Sequence, residues 1–339
     1  MYMRYSIAYM SIILTHLGEH SPPYLRDCVH QIRLWNPETK IYLILWRCHE
    51  SSDFWAKLVA EYKVILVYTD TLEPTPHHRH FSDYYLHNPS ETTQFRKGYW
   101  IHVKERFFFV EELMLRDHLE QCISMEYDLL VYVSLEGLFE KLKASHQTLR
   151  MVRDNDQRGH PGFLYVPTAE SIGGFNEFLA SVVKTGMEDM QCLANYADSN
   201  PDAVHYLPVI TEARNRGAKR ISAMGHTTED PSYLSEDSEH FGVLFDSLVV
   251  GQWLGGIDSR NTGGKKISPY ANESALYGMH ELQFEWQRRR GLWIPLLDER
   301  PVATIHMHSK ALRCFLSDRN DRPCDDYEVD DIASQLQKN

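Results

Sequence analysis

An alternation in the first third of the chain constrains the fold most. An apolar run from Ser6 to Leu14, then "KIYLILW" (Lys40 to Trp46) and "KVILVY" (Lys63 to Tyr68), are separated by two stretches with helical spacing, Tyr24 to Leu34 and "SDFWAKLVAEY". Short runs rich in Ile, Leu, Val and Tyr read as strands, and Ser52 or Asp53 is placed to cap the second helix. Strands alternating with helices imply an α/β fold with a doubly wound, mostly parallel sheet. The first connection, "THLGEHSPPYL", carries Gly18, Pro22 and Pro23, so it is a loop between the first strand and the first helix.

Further along, Glu73 to Ser90 is a Pro- and His-rich connection, and its "HHRH" (His77 to His80) reads as a solvated segment. A helix is expected from about Val103 to His118, with Val103, Phe107, Val110 and Met114 forming a buried stripe and Glu105, Glu112 and Arg116 facing outward. It leads into the strand "CISMEYDLLVYVS", followed by a glycine-entered strand "GHPGFLYVP" and the helix "SIGGFNEFLASVVKT". From about Asp189 the alternation loosens, and "SAMGHTTEDPSYLSEDSEHFG" has too few apolar residues to be core. The last apolar element, "VATIHMHSKALRCF", precedes an acidic stretch. These features divide the chain into a first half over 1–135, a looser half over 136–316 that completes the same domain, and a solvated or mobile tail over 317–339.

Composition narrows the function. The chain has 339 residues and a formal net charge of −12, which would repel a phosphate backbone, so nucleic acid is excluded as an expected partner. Six cysteines without C-x-x-C spacing suit reduced thiols in the cytoplasm better than a disulfide framework. No apolar run approaches the roughly 20 residues of a membrane span, so no transmembrane segment is expected. The sequon-like "NES" at Asn272 is read as chance.

Chemistry concentrates in two places. Glu126 and Asp128 end an apolar run, and in an extended strand both would face the same way with Tyr127 opposite. Carboxylates taken out of water need a cation, and so few protein ligands suit Mg²⁺ or Mn²⁺ completed by waters and substrate phosphates. The carboxyl ends of parallel strands are also where an α/β sheet has its ligand crevice. The second place is "IHMHSK", where His306, His308 and Lys310 would converge near a strand end. His306 is expected to be a hydrogen-bonded core histidine, His308 to complete a metal shell, and Lys310 to neutralise a phosphate. H-x-H is also a zinc-ligand spacing, but the sequence offers no evident third ligand.

The segment "KERFFFVEELMLRDHLEQCISMEYDLLVYVS" resembles the part of nucleotide-sugar-dependent glycosyltransferases of the GT-A fold where a helix leads into a strand ending in a D-x-D-type motif, here E-Y-D. The resemblance covers roughly residues 5 to 315 in element order and is specific in the motif region. It implies a Mn²⁺ or Mg²⁺ cofactor held by Asp128, Glu126 and His308 against the diphosphate of a UDP- or GDP-sugar, with the sugar passing to a hydroxyl of a glycan or other acceptor. It also implies that the loop after the first strand contacts base and ribose, which makes His16 and Gly18 donor-binding candidates.

Other candidates come from position. Lys104 and Arg106 open the helix near the crevice and are placed to reach the diphosphate or its sugar, with a solvated helix face as the alternative. The carboxylate that transfer requires beside the sugar is assigned first to Asp246 and second to Asp258. Gly255 and Gly256 let the backbone approach a ligand or form a tight turn. Trp100, Trp253 and Trp293 are candidates for stacking on a sugar face, Trp253 being the one expected in the core. Two rival functions share these residues: a metal-dependent hydrolase of a phosphate ester or nucleotide sugar, and a non-catalytic carbohydrate-binding protein.

Overall fold

The computed structural model describes residues 10–89, 95–143, 148–217, 231–264, 267, 270, 272 and 274–323. The expected alternation is present at the start: β1 (Ser11–His16), α1 (Tyr24–Trp35), β2 (Ile41–Leu45), α2 (Asp53–Tyr62) and β3 (Val64–Tyr68). A helix α3 (Pro76–His87) and a long helix α4 (Tyr99–Asp117) then lead to β4 (Cys122–Met125) and β5 (Leu129–Val131). Next come α5 (Leu135–Lys143), β6 (Leu149–Asn155), β7 (Arg158–Val166), α6 (Ala169–Ser181), α7 (Asp189–Ser199) and β8 (Val204–Tyr206). The last part holds β9 (Leu244–Phe245), α8 (Val249–Gly255), β10 (Phe284–Arg289), β11 (Leu292–Leu297) and β12 (Arg300–His306).

The fold is mixed α/β, built on a mainly parallel sheet of seven strands in the order β3-β2-β1-β4-β7-β6-β8, flanked by helices. Only β7 runs against the rest of this sheet. Strand alternation splits the central residues between two cores: Ile12 and Leu14 pack on one side, Ile13 on the other. A second sheet, β10-β11-β12-β5 with β9 beside β12, is joined to the first through the short step in the chain from β4 to β5. Its two hairpins turn at Arg290-Gly291 and Asp298-Glu299, all four residues having positive φ, as tight two-residue hairpin turns demand.

Several expectations are corrected. The "HHRH" run is not a solvated loop: Thr75 caps α3 by accepting from the His78 amide, Pro76 opens it, and His78 is buried. Glu112 and Glu105 do not face outward, because the His78 ring lies between them, its Nδ1 2.7 Å from Glu112 and its Nε2 3.5 Å from Glu105. The stretch read as too polar for core buries Tyr233, Leu234 and Phe241. The acidic tail starts inside the fold, since the buried Ser317 hydroxyl accepts from Gln31 (2.7 Å) and Trp35 (3.0 Å) on α1. Cys324 and the residues after it lie outside the described residues, while Cys28, Cys48, Cys122 and Cys192 are unbridged. Among the described residues no helix is long and apolar enough to cross a membrane.

Candidate active site

The E-Y-D segment is not an extended strand. It is the turn by which the chain leaves the large sheet at Met125 and enters the small one at Leu129, closed by the Leu129 amide donating to the Glu126 carbonyl at 3.3 Å. The Glu126 amide donates to Gly162 of β7 (3.0 Å), and the Asp128 carbonyl accepts from Met307 just beyond β12 (2.8 Å). The turn, rather than strand pleating, therefore brings both carboxylates to one place at the carboxyl ends of β1 and β4, where a parallel sheet opens its crevice.

His306 meets them there. It ends β12 opposite Leu129 in the ladder, and its Nε2 lies 3.1 Å from both the Glu126 and the Asp128 carboxylates. Burial opposes a charged ring, but Asp128 and Glu126 outweigh it and hold the His306 pKa up at about 9. Lys310 pairs with the other oxygen of Asp128, and Arg106 reaches Glu126 at 2.5 Å and Asp189 at 2.8 Å. Burial pushes both motif acids toward protonation, yet these cations, with His306, hold Glu126 and Asp128 well below the ordinary carboxylate range. The site is thus a buried cluster of acids whose charge is balanced by side chains, as a group of this kind must be.

The ring expected to ligate an ion lines the same cleft but is turned to another partner. β12 ends at His306 and the chain turns, so His308 does not continue an extended segment. The His308 Nδ1 accepts the Asp258 amide at 2.9 Å, which leaves a proton on Nε2 of the neutral ring and no lone pair for a cation. Burial, with Lys310 and His306 nearby, lowers its pKa to about 4, so the neutral form prevails. His306, expected as a core histidine, is the one between the acids.

Asp246 is a scaffold carboxylate. It is 1% exposed and accepts from the amides of Val250 (2.9 Å), Gly251 (2.9 Å) and His306 (3.1 Å), so it anchors α8 and the end of β12 rather than facing the cleft. Gly251 is required there, because a Cβ would come 1.9 Å from the His306 carbonyl oxygen. Gly255 packs on Ser309, where a Cβ would be 2.8 Å from the hydroxyl. Lys104 also points away: its ammonium donates to the Tyr85 hydroxyl (2.9 Å) and the Met187 carbonyl (3.3 Å).

The remaining candidates line a cleft of about 1160 Å³ together with Glu126, Asp128, His306 and Lys310. His16 and Gly18 form its wall after β1; His16 Nδ1 is 3.1 Å from the Tyr127 hydroxyl, and burial, with His49 nearby, lowers its pKa to about 4. Asp258 lies in the cleft, bonded to the Arg260 amide (2.9 Å) and guanidinium. Of the tryptophans, Trp100 lines the cleft, stacked on Phe95 at 6.0 Å, whereas Trp253 packs on Phe284 and Trp293 donates to the Arg319 carbonyl.

Sequence reasoning missed two groups. Asp189 begins α7 and reaches the cleft beside Glu126 across Arg106; burial, only partly offset by Arg106, leaves its pKa raised. His160 of β7 stands edge-on to His306, ring centroids 5.0 Å apart, and Glu126, His160 and His306 each offer a ligand atom within 4.8 Å of the others. The available signal was "HPG", a histidine two positions before a glycine on one strand face.

No protein-family model and no curated protein sequence matches the chain. The solved structures it is similar to include glycosyltransferases. Mouse xyloside xylosyltransferase 1 is similar with a TM-score of 0.40 at 10% identity over 61% of this chain and 90% of that one. The galactosyltransferase LgtC with donor and acceptor sugar analogs gives 0.39 at 15% identity, over 66% and 81%. The PaToxG glycosyltransferase gives 0.39 at 12% identity, over 57% and 69%. At these scores the likeness carries no functional argument, which rests instead on the chemistry of the cleft.

Proposed function

We propose that the protein is a GT-A-type glycosyltransferase that moves a sugar from a nucleotide-sugar donor, a UDP- or GDP-sugar, to a hydroxyl of a glycan or other acceptor with the help of Mn²⁺ or Mg²⁺. The observation that carries this reading is the convergence of Glu126, Asp128 and His306, flanked by Lys310 and Arg106, in one cleft at the carboxyl ends of parallel strands. The cleft is large enough for a nucleotide sugar, the usual small-ligand site being about 300–1,000 Å³.

The donor set fits a divalent ion. Two carboxylates and an imidazole are ordinary ligands for Mn²⁺, and the buried His306 Nδ1 has no hydrogen-bond partner, while its Nε2 faces both carboxylates. Glu126, Asp128 and His306 would hold the ion, which when bound supplies positive charge to the departing diphosphate. Lys310, paired with Asp128, would supply a second positive charge to the diphosphate at the same end of the cleft. Arg106 keeps Glu126 oriented and stays between it and Asp189. His16 and Gly18 shape the wall for base and ribose, and Asp189 and Asp258 are the carboxylates available beside the sugar.

Among the rivals, a hydrolase would share the acids and need no acceptor platform. Phe95 and Tyr99 are 43% and 41% exposed beside Trp100 at the cleft, an apolar surface suited to a sugar face, and this favours transfer. The test is calorimetry with UDP and GDP, with and without Mn²⁺, followed by product analysis with a panel of nucleotide sugars. Cation-dependent nucleotide binding and a new glycosidic product are expected. Absence of nucleotide binding, or release of free sugar only, rejects the reading.

A further inference from the structure

The acids of the cleft have an imidazole on each side, and the ring from β7 has a place built for it. His160 is 2% exposed, and its Nδ1 is buried without a hydrogen-bond partner. A buried imidazole nitrogen without a partner carries a desolvation cost that native structures rarely leave unmet. The backbone gives way to this ring: a Cβ on Gly162 would come 2.3 Å from the His160 Cε1 and 3.0 Å from its Nδ1, so only glycine lets the imidazole lie across the strand. The same Gly162 accepts the Glu126 amide at 3.0 Å, which fixes the strand carrying His160 to the turn carrying the acids.

We propose that His160 is a second imidazole ligand of the divalent ion in this cleft, making a mixed nitrogen–oxygen site with Glu126, Asp128 and His306 that selects Mn²⁺ and neighbouring transition ions over Mg²⁺. This rests on the metal-dependent reading above and goes beyond it, because carboxylates alone suit Mg²⁺ whereas each imidazole shifts preference toward the transition series. The geometry points the same way: ligand atoms of Glu126, His160 and His306 already lie within 4.8 Å of one another. The two rings meet in a T-shaped contact at 83° rather than stacking face to face.

Electron paramagnetic resonance of the full chain with Mn²⁺, alone and with UDP, tests this, with pulsed detection of nitrogen couplings. Two imidazole nitrogens are expected in the native protein and one in His160→Gln, with Mn²⁺ affinity falling about tenfold or more and Mg²⁺ affinity changing far less. Gly162→Ala, which displaces the ring and keeps the imidazole, is expected to lose the same coupling. Thermal melts of both variants identify any general loss of fold, and native-like melts with the lost coupling support the ligand role. Bound Mn²⁺ with a single nitrogen that survives His160→Gln overturns the inference and leaves the proposed function standing. No Mn²⁺ binding in either condition overturns both.

Discussion

The Glu126 carboxylate and the His306 imidazole meet at 3.1 Å, although one residue follows the last strand residue of the seven-stranded sheet and the other ends a strand of the smaller sheet. Their contact exists because the E-Y-D turn passes the chain from one sheet to the other next to the point where β12 stops.

Asp128 is the acid most bound into this junction, paired with His306 and Lys310. Asp128→Asn keeps the shape and removes the charge. Transfer is expected to fall at least about a hundredfold, as when a preorganised electrostatic group is lost, with the circular dichroism spectrum unchanged. A full-rate variant contradicts the metal role.

Arg106 bridges Glu126 and Asp189, and its side chain is 13% exposed. Arg106→Ala takes the shared cation from two carboxylates and leaves Glu126 with His306 alone, a loss expected to cost about 3–5 kcal/mol in urea denaturation. Arg106→Lys, which can hold only one acid well, is expected to recover part of that loss.

Asp246 separates a scaffold role from a chemical one. With three backbone amides on its oxygens, Asp246→Asn is expected to lower stability by about 1–3 kcal/mol while leaving the shape of the pH–rate profile intact. Loss of one limb of that profile would restore the residue as a base.

The His78 cluster predicts how stability follows pH. Burial opposes charge on His78, but Glu105 and Glu112 overcome it and raise its pKa from 6.5 to about 9. Its contribution is full below 6.5 and lost as pH rises through about 9. Glu105 moves the other way, since His102 and His78 outweigh its burial and lower its pKa from 4.5 to about 2; its contribution is full above 4.5 and lost as pH falls through about 2. The contribution of this cluster, read as the difference in denaturation midpoint between the native protein and His78→Gln, should therefore be flat between 4.5 and 6.5 and shrink as pH rises through about 9.

Local signals made much of the fold legible. Apolar runs and helical spacing suffice for β1 to β3 and the helices between them, because a parallel strand buried on both faces must be continuously apolar. The second sheet was less legible: its hairpins turn at Arg-Gly and Asp-Glu, only the first of which carries a glycine signal, and strand β10 is mostly exposed. The His78 helix was hidden by its composition, since whether a histidine run is solvated or paired depends on acids supplied by α4.

The same division holds at the site. The sequence by itself determined that Glu126 and Asp128 needed a counter-charge and that "IHMHSK" was a place to find it, because burial of charge is costly wherever it occurs. Only the tertiary structure decided which histidine faces the acids, that Asp246 and Lys104 turn away, and that Asp189 and His160 come in. Those choices depend on where β12 ends and which amides lie within hydrogen-bond reach, and such distances are set by packing between segments far apart in the chain.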